Sequence, residues 1–203
     1  CGVMTGPVYH YLHKADVILG IGCSFSRHNM STVIPSNKII IHATNDQEDI
    51  NKCYPVDVAI IGDAGLILKQ LIEAVKDRMR DKERQVSNSV FQEVKRVKDK
   101  WLMEWMPKLT SWEVPINPYR VIWELMQVAN PAETIVTHDS GNPRYEVMPF
   151  YQTDGPRTYL GWGKSHQLGT GLGLTMGAKL AAPEKFCVNF MGDAAFGMTG
   201  LDF

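Results

Sequence analysis

Short apolar runs recur along this chain and alternate with segments of helical periodicity. The runs show little polar alternation, which is typical of strands buried on both faces of a parallel sheet. They are residues 17–22, 38–42, 57–61, 133–138 and 186–190. Helical spacing of apolar residues predicts helices over residues 6–15 and 64–78. Asn117 as N-cap and Pro118 at the first helical position predict a helix over residues 118–129, and a glycine-rich helix is expected over residues 168–180. This alternation predicts an α/β fold of two three-layer domains, each built on a parallel sheet.

The expected domains are residues 1–80 and residues 116–203, joined by a connector over residues 81–115. The connector contains a predicted amphipathic helix with valines and tryptophans on one face and lysines and arginines on the other. A basic amphipathic helix can bind a membrane surface or calmodulin. Acidic residues interrupt the basic face, however, namely Glu93, Asp99 and Glu104. We therefore favour a helix that packs on the domains it joins.

Charge and cysteine content exclude several classes of protein. The 203 residues carry 21 basic and 22 acidic side chains, for a net charge of -1, which argues against nucleic-acid or anionic membrane partners. No apolar run approaches the ~18 residues of a membrane-spanning helix. The four cysteines are widely spaced, which indicates reduced thiols and not a disulfide or zinc framework. We expect a cytoplasmic protein.

A Gly-Asp pair, Gly192-Asp193, follows the last apolar run. The carboxyl end of a strand is where open α/β sheets bind ligands. A carboxylate there offers oxygen to Mg²⁺, and the small residues Ala194 and Ala195 leave backbone amides accessible to a phosphate. The alternative interpretation is a turn that only ends the strand.

Glycines elsewhere do not form a dinucleotide fingerprint. Gly20 and Gly22 lack the third glycine of that motif, so they are expected to permit tight turns. Residues 169, 171, 173 and 177 are glycines inside the predicted helix. Small residues at this spacing allow close packing against a sheet or against a cofactor ring, and both interpretations stay open.

Six segments together resemble one family, in the family's own order. They read ADVILGIGCSFS, KIIIHATNDQEDINK, VDVAIIGDAGLILKQL, IVTHDSGN, HQLGTGLGLTMGAKLAAPE and GDAAFGMTGLDF. They resemble thiamine diphosphate (ThDP)-dependent enzymes of the acetolactate synthase type. The resemblance implies a Rossmann-like (DHS-like) central domain followed by a ThDP-binding α/β domain that is truncated at its carboxyl end.

The resemblance also implies a cofactor site. Asp193 would bind the Mg²⁺ that bridges the diphosphate, and Leu168 would hold the cofactor in its bent form. The carbonyl oxygen of His166 would accept from the aminopyrimidine, and Asn142 would approach the diphosphate. The expected cofactor-binding residues are Asn142, His166, Gln167, Leu168, Gly192, Asp193, Ala194 and Ala195, with Asp193 as the metal ligand.

Three positions depart from the family pattern. Ala195 replaces a usual Ser, Pro143 replaces a common His, and Thr44 stands where an Asp would contact a ribose. The last change weakens the expectation of FAD or ADP in the central domain. These losses motivate an alternative: a nucleotide-binding or regulatory module on the same fold without catalysis. A plain α/β scaffold without a ligand is the third interpretation.

The expected activity is the formation or cleavage of a carbon–carbon bond of a 2-oxo acid, by a lyase or transferase. The resemblance places the catalytic Glu and a second metal ligand outside this sequence, so no catalytic residue is expected within it. We therefore expect a fragment that is inactive alone and a full-length protein that forms a homodimer or tetramer.

Overall fold

The computed structural model describes residues 5–27, 31–79, 88–161 and 167–200. The chain divides into two compact units, residues 1–101 and residues 102–203. Each unit contains a three-stranded sheet in which all the strands run parallel. The predicted α/β class with two parallel sheets is confirmed. The division falls within one helix, and the domain bounds given above stay a prediction.

In the first unit the sheet order is β1-β2-β3, and the strands pair in parallel with Val17 opposite Ile39 and Ile41 opposite Val58. A short 3-10 helix follows β2. The elements are α1 (Gly6–Lys14), β1 (Val17–Ile21), β2 (Ile39–Thr44), β3 (Val58–Ile61) and α2 (Ala64–Met79). Helix α3 (Asn88–Leu109) is the one in which the division between the units falls.

One face of this sheet forms the core of the first unit. Ile40 of β2 packs there with Phe25, Ile34 and Tyr54, all buried. The opposite face differs from the expectation of doubly buried strands, because side chains such as Val17 remain half exposed. That face is covered only in part, since Ala43 of β2 is 1% exposed whereas Val17 is 49% exposed. The amphipathic helix predicted for the connector is present as α3, which begins at Asn88.

In the second unit the sheet order is β5-β4-β6. Its elements are α4 (Pro118–Val128), β4 (Thr134–His138), α5 (Asn142–Phe150), β5 (Tyr159–Leu160), α6 (Thr170–Ala181), β6 (Phe186–Phe190) and α7 (Asp193–Thr199). All five residues of the central strand β4 are buried, as a strand covered on both faces should be. The core includes Ile122, Val136 and Val147, each at most 1% exposed.

Helix α4 begins where the sequence predicts. The Asn117 side chain accepts from the amide of Tyr119 at 3.1 Å, and Pro118 occupies the first turn. Helix α5 and strand β5 were not predicted. Helix α5 contains two prolines, Pro143 and Pro149, and β5 has only two residues, so neither carries a clear apolar period. Among the described residues, no helix combines the length and hydropathy that a bilayer span requires.

Candidate functional site

The carboxyl ends of β4 and β6 lie side by side. The two strands pair in parallel from Thr134 opposite Phe186 to His138 opposite Phe190. The pairing extends one residue further, since the amide of Asp139 donates to the carbonyl oxygen of Phe190 at 2.7 Å. The loops that follow the two strands therefore meet at the edge where parallel sheets of α/β proteins bind ligands.

Asp193 lies at this edge as the first residue of α7, with Gly192 as the N-cap in an extended conformation. Asp193 is exposed to solvent. The first helical hydrogen bond of α7 runs from the Phe196 amide to the Gly192 carbonyl oxygen at 3.0 Å. The amides that precede Phe196 in the helix belong to the first turn, where no helical acceptor is available. The Asp193 carboxylate and the amides of this first turn therefore lie together at the carboxyl edge of the sheet.

The two alanines after Asp193 differ in accessibility. Ala194 is exposed, whereas Ala195 is 1% exposed, so its amide is covered by protein. The expectation of an accessible amide therefore fits Ala194 and does not fit Ala195 in this conformation. At Gly192 a Cβ atom would meet nothing within 4 Å, so the protein itself does not require glycine there. That open space is available to a ligand.

Leu168 lies in the loop that enters α6. This helix begins at Thr170, two residues later than predicted, because Gly169 adopts a φ of 92° in the left-handed region. A Cβ atom on Gly169 would lie 2.3 Å from Cγ2 of Thr199, at the end of α7. Leu168 is therefore adjacent to a residue packed against the helix that Asp193 begins. Leu168 itself is 39% exposed, and Gln167 is exposed.

Asp139 holds the start of α6 in place. It is fully buried, and its Oδ1 accepts from the amides of Ser140 at 2.7 Å and Gly169 at 3.0 Å. Its Oδ2 accepts from the amide of Gly171 at 2.8 Å. Sequence analysis did not single out Asp139 and missed this role. The available signal was an acidic residue at the carboxyl end of a predicted strand, the position that singled out Asp193.

A second set of buried polar contacts ties β4, α6 and β6 together. The hydroxyl of Thr137 hydrogen-bonds with the hydroxyl of Thr175 and lies 2.9 Å from Oδ1 of Asn189. The amide group of Asn189 donates to Sδ of Met191 at 3.0 Å, immediately before Gly192. Buried polar groups that satisfy one another rigidify a structure. The segments that carry Leu168 and Asp193 are thus held by the same set of hydrogen bonds among β4, α6 and β6.

The remaining predicted residues are less well placed by the structure. Asn142 is exposed and begins α5, directly after Gly141, whose φ is 82°. Because α5 begins shortly after the carboxyl end of β4, Asn142 lies at the same edge of the sheet as Asp193. His166 lies outside the described residues.

Two further titratable side chains lie near the end of β4. His138 is 2% exposed, and its Nδ1 donates to the carbonyl oxygen of Asp139 at 3.0 Å. Burial lowers the pKa of His138 below the ordinary 6.5, and the positive charge of Arg144 lowers it further. The ring of Tyr159 lies 5.7 Å from the His138 ring, and burial raises the pKa of Tyr159. The sequence offered no signal for this pair.

In the first unit, Thr44, which stands where an Asp would contact a ribose, forms local contacts, as do Asp46 and Ser24. Thr44 is buried, and its hydroxyl accepts from the Asp46 amide at 3.1 Å. The Asp46 carboxylate in turn accepts from the Glu48 amide at 3.0 Å and caps the 3-10 helix. Ser24 and Ser26 hydrogen-bond with each other at 2.5 Å. These contacts give the three positions structural roles without a nucleotide.

A cavity of about 540 Å³ lies along α1 in the same unit. Thr5, Tyr9, His13 and Thr32 contribute to its lining, whereas Thr44 and Asp46 do not. A nucleotide held through Thr44 and Asp46 would therefore not occupy this cavity. Among the described residues, no group of three or more His, Cys, Asp or Glu side chains is arranged as a metal site.

Comparison with known proteins places both units. Residues 1–71 match the model of the thiamine pyrophosphate enzyme central domain, and residues 139–203 match the C-terminal TPP-binding domain of the same enzymes. The chain belongs to the thiamine pyrophosphate enzyme family. Because the second match begins at Asp139 and ends beyond α7, it contains the strand-end residues Asp139 and Asp193 described above.

Individual relatives of this thiamine pyrophosphate enzyme chain agree with the family assignment. It is 30% identical over 205 residues to the probable acetolactate synthase large subunit of Methanococcus aeolicus, covering 96% of the chain and 34% of the relative. It is 30% identical over 201 residues to the protein of the same description from Methanocaldococcus jannaschii, covering 95% and 32%. The sulfoacetaldehyde acetyltransferase of Roseovarius nubinhibens is 27% identical over 209 residues, covering 92% and 34%. The chain thus spans about a third of the length of these relatives.

Proposed function

We propose that this chain is part of a ThDP- and Mg²⁺-dependent enzyme that forms or cleaves a carbon–carbon bond of a 2-oxo acid. The observation that carries the proposal is the position of Asp193. Its exposed carboxylate begins a helix at the ligand-binding edge of the sheet, inside the segment that matches the TPP-binding domain. The acetolactate synthases among the relatives support the substrate class.

The residues at this edge fit a diphosphate-bearing cofactor. Mg²⁺ is commonly held by one or two carboxylates together with substrate phosphates, so a single Asp193 suits the ion when a diphosphate supplies further oxygens. Ala194 is exposed in the first turn of α7, where an amide can donate to a phosphate oxygen. The open space at Gly192 lets a phosphate approach the backbone.

The organic part of the cofactor requires a different surface. Leu168 offers an apolar side chain that is 39% exposed, in the loop held beside α7. In this proposal Leu168 supports the bend of the cofactor, and Gln167, His166 and Asn142 line the site around it. When bound, thiamine diphosphate supplies the electron sink for carbon–carbon bond chemistry, while the protein orients substrate and excludes water.

The remaining features of the whole enzyme also belong to the proposal. A catalytic Glu and a second metal ligand would come from parts of the protein outside this sequence, so the 203-residue chain alone should show no turnover. The full-length protein would act in the cytoplasm as a homodimer or tetramer, as a lyase or a transferase. The relatives include acetolactate synthases and a sulfoacetaldehyde acetyltransferase, so the substrates of this enzyme are to be identified by assay.

Calorimetry on the full-length protein tests the proposal. We expect ThDP to bind only when Mg²⁺ is present, and Asp193→Asn to weaken that binding about 10- to 100-fold. Asp154→Asn is the matched control, because Asp154 is an exposed acid in the same unit, remote in sequence from α7. Wild-type protein that binds no ThDP in the presence of Mg²⁺ would contradict the proposal.

A nucleotide-binding or regulatory module without catalysis is the second candidate function. The observation that favours it is Ala195, which offers no hydroxyl and is buried. This candidate predicts binding of ADP or FAD by the full-length protein, with no turnover of any 2-oxo acid or of sulfoacetaldehyde. Product formation from such a panel, dependent on ThDP and Mg²⁺, would decide for the enzyme.

A further inference from the structure

The carboxylate of Asp139 is buried among backbone amides. It has no solvent exposure, and its two oxygens accept three amide hydrogen bonds, from Ser140, Gly169 and Gly171. A buried charge is stable only when hydrogen bonds replace its hydration. Bonds between a carboxylate and amide N–H groups are about twice as strong as bonds between neutral groups. The side chain is therefore held rigidly, and so are the backbone segments that donate to it.

Two of the donors belong to the beginning of α6. The first amides of a helix have no helical acceptor and carry the positive end of the helix dipole. Helix α6 has Gly169 at its N-cap, and that residue has no side chain with which to bond these amides. Asp139 supplies the missing acceptor from the neighbouring strand. It acts as an N-cap that is distant in sequence, 30 and 32 residues from its two glycine partners.

The same glycines set the position of Leu168. Gly169 directly follows Leu168 and lies between the Asp139 carboxylate and Thr199 of α7. Gly171 is equally confined, since a Cβ atom there would lie 2.5 Å from Oδ1 of Asn189 and 3.0 Å from the Asp139 nitrogen. The backbone around Leu168 can shift relative to α7 only if the bonds to Asp139 break.

We propose that Asp139 is a positioning residue that fixes the Gly169–Gly171 backbone and thereby presents Leu168 to the cofactor beside the helix of Asp193. This inference rests on the proposed function for the identity of the cofactor. Asp139 itself does not touch the cofactor or the metal in this arrangement, because its side chain is enclosed by protein. Its contribution to binding is therefore indirect and passes through the loop.

The test uses the full-length protein with Asp139→Asn, which keeps the shape of the side chain but replaces one acceptor oxygen by a donor. Hydrogen exchange read by mass spectrometry on a peptide covering residues 167–172 should be about 10-fold faster than in the wild type, whereas exchange within β4 should be unchanged. Affinity for ThDP with Mg²⁺ should fall about 10- to 100-fold, as for loss of a supporting partner.

A control separates positioning from general loss of stability. Ile122→Val removes a methyl group from a core side chain that is 1% exposed and should lower the stability of the protein. It should change neither the hydrogen exchange of the 167–172 peptide nor the affinity for ThDP. A decrease in ThDP affinity in Asp139→Asn with unchanged exchange of that peptide would overturn the proposal, and so would unchanged affinity.

The wild-type protein gives an independent result that needs no folded variant. Amides of Gly169 and Gly171 that exchange as fast as unprotected amides would overturn the anchoring role directly. Wild-type protein that binds no ThDP would overturn the proposed function and the role of Asp139 toward the cofactor. The exchange data would still report separately whether Asp139 anchors α6, so the two failures can be told apart.

Discussion

Replacing Gly171 by alanine should destabilise the second unit, although alanine is the better helix former. Gly171 lies in the first turn of α6 and is buried. A Cβ atom there would lie 2.5 Å from Oδ1 of Asn189 and 3.0 Å from two backbone atoms at the end of β4, the Asp139 nitrogen and the His138 carbonyl carbon. Backbone atoms in a paired strand cannot move aside easily, so α6 must shift.

The magnitude follows from two costs and one gain. Overpacking of a filled site costs about 1–3 kcal/mol. A shift of α6 also weakens the bond from the Gly171 amide to the Asp139 carboxylate, and a bond to a charged group contributes about 1.5–3 kcal/mol. The higher helix propensity of alanine returns at most about 1 kcal/mol. We expect a net loss of about 1.5–5 kcal/mol in the free energy of unfolding.

The assay is urea unfolding monitored through hydrogen exchange of amides within β4 and α6, which reports on the second unit separately. The matched controls are Gly173→Ala and Gly177→Ala, because a Cβ atom at either position would meet nothing within 4 Å. Both lie inside α6 and should stabilise it by about 0.5–1 kcal/mol. A Gly171→Ala protein as stable as these controls would refute the reasoning.

Three more outcomes follow from single residues. Gly192→Ala should leave the free energy of unfolding within about 0.5 kcal/mol of wild type, because the space beside Gly192 is free in the protein. It should weaken Mg²⁺-dependent ThDP binding, and equal affinity by calorimetry would argue that no ligand lies there. The free energy of unfolding should decrease as the pH is lowered below 6.5, because His138 takes up a proton more readily in the unfolded chain than when it is buried. A His138→Gln variant whose free energy of unfolding in urea depends on pH as steeply as that of the wild type would contradict this. Gly22→Ala should cost about 1–2 kcal/mol through backbone strain alone, as φ is 63° with open space around it; a thermal midpoint equal to wild type would exclude that strain.

Much of the fold could be predicted because five of the six described strands are continuous apolar runs and most helices carry local signals of their own. The five strands with four or more residues and the helix start at Asn117-Pro118 were all evident locally. Helix α5 and strand β5 were not, since two prolines interrupt one and the other has two residues. The start of α6 was misplaced because the left-handed conformation of Gly169 is set by its surroundings.

The candidate site divides in the same way. The sequence by itself determined that Asp193 closely follows a strand, because the strand, the glycine and the acid lie within eight residues and need no distant partner. Only the tertiary structure decided that Asp139 binds amides 30 and 32 residues away and that Ala195 is covered. Parallel strands bring remote loops to one edge of a sheet, so the partners of a buried carboxylate depend on which strands are neighbours, and that pairing is not encoded in any short stretch of sequence.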